Sequence, residues 1–121
     1  NAYIDTAMVN HEGVLEYTFR TFPRDRMLFG SDAPIACLRG KSVEVNDQYV
    51  YLMGEDYAIG NAMYAPENAV AFTSFTYEQL RGIRLAAQRA GLSRAEIADF
   101  FFGNAERLFS AVAQRNYGGS A

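Results

Sequence analysis

The apolar positions of this chain change period several times, and each change marks an element. In "RDRMLFGSDAP" (residues 24–34) a charged stretch gives way to Met27, Leu28 and Phe29, and Gly30 ends the run. A short unbroken apolar run of this kind predicts a strand covered on both faces, as in a parallel sheet. "YIDTAMV" (residues 3–9) is a second strand candidate. Between the two, Val14, Leu15, Thr18, Phe19 and Phe22 recur at helical spacing, and Pro23 closes that helix. Strand, helix and strand make one βαβ unit over residues 3–34.

Residues 35–75 read as an insertion. Val43 and Val45 alternate with polar residues, as do Tyr49 and Tyr51, with Asn46-Asp47 as the turn of a β-hairpin. Residues 61–74 are rich in small side chains and read as a loop. Residues 76–116 read as helices. Thr76 and Gln79 have capping-box spacing, and Tyr77, Leu80, Ile83, Ala87 and Ala90 form one apolar face. Gly91 is a natural stop. Ser93 and Glu96 form a second capping box, flanked by Leu92 and Ile97 at staple spacing. After "ADFFFG", Asn104 is expected to cap a third helix with Leu108, Phe109 and Val112 facing inward.

At 121 residues, half of them hydrophobic and 21% charged, the chain has the size and balance of one folded α/β domain. Its net charge of −3 gives no reason to expect a nucleic-acid or acidic-membrane partner. The single cysteine, Cys37, makes no internal disulfide and rules out a cysteine-rich zinc site. No apolar run is long enough to span a bilayer, and no signal segment opens the chain. A reducing, cytoplasmic setting is the default expectation. The chain starts at Asn1 rather than Met, so it reads as processed or as a piece of a longer protein.

Candidate chemistry concentrates just after the second strand. Functional groups of parallel α/β folds sit at the carboxyl ends of strands, and Asp32 lies at such an end. An aspartate there also serves as a turn former. Arg39 and Lys41 follow closely and suit an anionic substrate group, or a solvated loop. Asp5 reads as a strand-end hydrogen bonder and His11 as a helix-terminus residue. Tyr49, Tyr51, Tyr57 and Tyr64 either line a lid or pack on one another. Cys37 has no base nearby in sequence that would make it a nucleophile. A rival reading takes residues 77–102 as a helix-turn-helix regulatory module, with Arg81, Arg84, Arg89 and Arg94 for phosphates. Against it, Glu78, Glu96 and Asp99 cancel most of that charge, and "DFFF" is too apolar for an exposed recognition helix.

"PRDRMLFGSDAP", followed at a distance by "AGLSRAEIADFFFGNAERLF", resembles the C-terminal portion of the amidohydrolase-related family. The likeness covers nearly the whole chain and is weakest over residues 38–74. It implies a fragment of a (β/α)8 TIM barrel, with strands 7 and 8 and their helices, a β-hairpin insertion and three closing helices. It further implies a metal-dependent hydrolase or decarboxylase acting on a small molecule, with a divalent metal, zinc foremost. Asp32 is the position that carries over, as the strand-8 aspartate that binds metal and takes the proton of the attacking water. The chain departs from the family pattern in having one histidine, His11, and no His-x-His pair. A full barrel takes about 250 residues. The expectation is therefore a C-terminal segment that is inactive alone and self-associates through open strand edges. A non-catalytic oligomerisation domain is the third reading.

Overall fold

The computed structural model describes residues 2–56, 62–64 and 70–117. Strands β1 (Ile4–Asp5) and β2 (Met27–Leu28) pair in parallel, Ile4 opposite Met27 and Asp5 opposite Leu28, with helix α1 (Glu12–Thr21) between them. The expected βαβ unit is present, but its strands are shorter than residues 3–9 and 27–29. After Asp5 the backbone turns: Val9 N–H donates to the Thr6 carbonyl and Met8 sits at φ +54°. Phe29 leaves the ladder because its N–H donates to the Phe100 carbonyl at 3.1 Å. His11 caps α1, its Nδ1 accepting from the Val14 N–H, and the helix stops short of Pro23.

β3 (Gly40–Val45) and β4 (Gln48–Met53) form the expected antiparallel hairpin. Asn46 and Asp47 both have positive φ, which is how a two-residue loop matches the twist of its strands. Part of the segment expected to be loop is instead strand: β5 (Ala62–Tyr64) runs parallel to β4. The two sheets, of two and three strands, do not close into a barrel among the described residues. The architecture is mixed α/β.

Helix α2 (Phe75–Arg89) starts two residues earlier than expected. Ser74, not Thr76, is the cap, accepting from the Tyr77 N–H. Thr76 instead donates to the Ala36 carbonyl. The buried face is Phe75, Gln79, Gly82, Ile83, Ala86 and Ala87, whereas Tyr77 and Leu80 face solvent. Gly82 lets α1 come close, since a Cβ there would lie 2.9 Å from the Asn10 carbonyl oxygen. Gly91 ends the segment at φ +68°, a conformation that glycine adopts freely.

Helix α3 (Arg94–Ala98) carries the full Ser93–Glu96 capping box. It runs through a π-helical turn, Asp99–Gly103, into α4 (Asn104–Tyr117). Asn104 is thus inside a continuous helix and is not a cap. Its buried amide donates to the Arg24 and Met27 carbonyls, both at 2.8 Å, and braces the approach to β2. Phe109 and Val112, expected to face inward, are exposed.

The main core joins Leu15, Phe19, Met27, Ile83, Ala86, Ala87 and Phe100. A second cluster of Met8, Ala36, Met53 and Phe75 seats the hairpin on the strand ends. Arg24 clamps the rim of the main core, donating to the Phe19 and Ala90 carbonyls and to Glu96. Hydrogen bonds from the Ser93 backbone, Arg24 and the Ser93 hydroxyl hold the Glu96 carboxyl down at about 2, from an ordinary 4.5. A depressed carboxylate stabilises the fold above its unfolded value, and that stability goes as pH falls toward the folded value. Wild type should therefore lose stability between about pH 4.5 and 2 through this group. Glu96→Gln should show a flatter fall in Tm over that interval, and parallel Tm–pH curves would refute it.

Candidate functional site at the strand ends

Parallel pairing sets the carboxyl ends of β1 and β2 side by side, and α2 ties them together. The Gln79 side chain, wholly buried, donates to the Thr6 carbonyl at 2.6 Å and to the Gly30 carbonyl at 2.8 Å. One amide thereby holds both chain exits. Asp5 turns the β1 exit by accepting from the Ala7 N–H at 2.9 Å, as a strand-end hydrogen bonder. On the β2 side, Asp32 is exposed with φ +59°, a left-handed conformation that aspartate tolerates better than most residues. Its carbonyl accepts from the Ala36 N–H, but its carboxylate makes no hydrogen bond or ion pair among the described residues.

The hairpin brings a phenol into this region. Tyr51, on β4, packs against the second core cluster and against the Phe75 ring. Burial raises its phenol above the ordinary value, and the nearby Tyr49 and Asp32 add to the rise. A neutral phenol thus stands near the Asp32 carboxylate. Tyr49 meets Tyr51 edge to face, centroids 5.4 Å apart, so these two pack on each other. Tyr57 and the side chain of Tyr64 lie outside the described residues.

Both candidate substrate-binding cations are engaged by carboxylates. Arg39 pairs with Glu55 at 2.8 Å, and Lys41 with Glu78 at 3.0 Å. Burial alone would raise the Glu78 carboxyl, but hydrogen bonds from Thr73 and Lys41, with the charges of Lys41 and Arg81, hold it below its ordinary range. His11 caps α1 and lies 3.9 Å from Glu44. Cys37 is a free, exposed thiol. Among the described residues no three His, Cys, Asp or Glu side chains form a group able to hold a metal ion. Two of the arginines in the helix-turn-helix reading are also engaged, Arg81 by Glu12 and Arg89 by Glu12 and Glu16. No helix of the described residues is long and apolar enough to cross a membrane.

Hydrophobic pattern does not single out Gln79 as a companion of Asp32, and it offers Tyr51 only as one of four tyrosines for a lid or for mutual packing. A glutamine on a helix carries no periodic signal, and its partners lie 49 and 73 residues away. Comparison with protein-family models, curated proteins and solved structures finds no match to this chain.

Proposed function

We propose that this chain is the C-terminal part of a hydrolase or decarboxylase resembling the amidohydrolase-related barrels, with β1 and β2 as its last two barrel strands. The observation that carries the reading is the parallel β1–α1–β2 unit with Asp32 exposed just beyond β2. An unengaged carboxylate at that end suits it to accept a proton from water attacking a small-molecule substrate. Gln79 keeps the two strand exits in register, and Tyr51 walls the same region. A catalytic zinc centre takes three protein ligands. The described residues gather no such group and do not fit a metal centre by themselves. It contributes one carboxylate, and the other ligands belong outside it. The 121-residue chain alone is then catalytically silent.

The test compares the isolated chain with the native gene product from its source cells, using simple esters, amides and aromatic carboxylates. The 13.5 kDa chain should show no turnover. A longer native product should turn over, and Asp32→Asn should lower its kcat by about 10²–10⁴-fold, the usual worth of a positioned acid or base. Turnover by the isolated chain that Asp32→Ala abolishes would overturn the silence. An unaffected Asp32→Asn full-length enzyme would overturn the role.

A further inference from the structure

The opposite end of the same two strands carries a different cleft. Tyr3 directly precedes β1 and Arg26 directly precedes β2. Across from them, Leu108, Ala111, Val112 and Arg115 share one face of α4, spaced one and two turns apart. These six residues enclose a cleft of about 320 Å³. That is the small end of the range for ligand pockets, roughly 300–1,000 Å³.

Its charge sets it apart. Arg20, Arg24, Arg39, Arg81, Arg89 and Arg107 all pair with carboxylates. Arg26, Arg84, Arg94 and Arg115 make no ion pair among the described residues, and two of these four, Arg26 and Arg115, line this one cleft. Among the described residues no acidic side chain lines it. In a chain of net charge −3, two guanidinium groups lining one hollow with no counter-ion among the described residues are an unbalanced arrangement. The remaining wall is apolar, from Leu108, Ala111 and Val112, and the ring of Tyr3 sits at the edge, 42% exposed. A guanidinium fork matches a carboxylate in plane, and an apolar wall next to it favours a hydrocarbon body.

We propose that this cleft binds a small organic carboxylate with an apolar body, held by Arg26 and Arg115 over the Leu108–Val112 face. The site stands at the amino ends of β1 and β2, away from Asp32, and does not depend on the catalytic reading.

Octanoate is the probe, followed by amide chemical shifts of the whole chain, with octanol and inorganic phosphate as comparisons. Octanoate should shift Tyr3, Arg26 and α4 signals saturably, while octanol and phosphate do not saturate at the same concentrations. Arg26→Gln and Arg115→Gln should each weaken octanoate by roughly tenfold, the scale of a lost charge-assisted pair. Equal binding of octanol would show that the arginines do nothing. Equal binding of phosphate would show that the apolar wall does nothing. Either result, or no saturable shift at all, overturns the proposal. These three arms use the wild-type chain, so they decide the matter even if a variant folds poorly.

Discussion

Gln79→Ala should destabilise the protein by about 2–4 kcal/mol, from a lost buried hydrogen-bond donor and the cavity left behind. The side chain is wholly buried, and its amide is the donor shared by the Thr6 and Gly30 carbonyls. Thr6 keeps a second partner, the Val9 N–H, so the Gly30 carbonyl bears most of the loss. One term runs the other way. The Gln79 Oε1 is itself buried without a partner among the described residues, and removing it relieves that cost. The expected value is therefore below the sum of two lost bonds plus a cavity. The same substitution should also loosen the strand tip that carries Asp32, two residues beyond Gly30. The Tyr51 phenol reports on this, because burial and the Tyr49 and Asp32 neighbours raise it. In Gln79→Ala its titration should move back toward the ordinary 10.0. Tyr77→Ala, on the exposed face of the same helix, should change stability by no more than about 0.5 kcal/mol. Urea unfolding that ranks the two variants equally would show that Gln79 is not a tie between strand ends.

What could be read in advance divides along physical lines. Local chemistry was legible: Pro23 closing α1, the Asn46-Asp47 turn, the Ser93–Glu96 box and the Gly91 stop all depend on neighbours in the chain. The faces of the helices were less so. Tyr77 and Leu80 look like core by period, yet the buried stripe of α2 runs through Gln79 and Gly82. One is buried for its hydrogen bonds and the other for its size, and neither registers as hydrophobic. Asn104 follows a glycine and precedes an apolar helix, which is the pattern of a cap. Its amide is instead taken by carbonyls 77 and 80 residues earlier. The parallel β5 pairing was hidden for the same reason, since register between distant segments leaves no local mark.

The candidate site follows the same division. Asp32 was legible because a carboxylate after an apolar strand is a local feature. The surroundings on which its proposed role depends, Gln79 from α2 and Tyr51 from β4, come from elements joined only by folding. Arg39 and Lys41 looked available in sequence because their partners, Glu55 and Glu78, are 16 and 37 residues away. An unpaired cation cannot be recognised from one segment. The same limit applies to Arg26 and Arg115, which the topology brings to one cleft.

The "FFF" run makes the sharpest case, because identical side chains two positions apart should behave as different residues. Phe100→Ala should cost about 3–5 kcal/mol, the range for emptying a buried aromatic site. Phe100 is 3% exposed and meets Phe19 edge to face with centroids 5.3 Å apart. It also abuts the Phe29 ring, and its carbonyl accepts the Phe29 N–H that draws the chain away from β2. Truncation thus leaves a cavity at the point where α3, the π-helical turn and the second strand meet. Phe102, two residues on, is 65% exposed, and Phe102→Ala should fall within about 0.5 kcal/mol of wild type. Positions two apart on a helix point to opposite faces, and here Phe100 takes the core side and Phe102 the solvent side. Urea midpoints of the two variants measure the difference directly. Similar losses at both positions would mean that something covers Phe102 in solution. A larger loss at Phe102 would mean that Phe102, not Phe100, occupies the core.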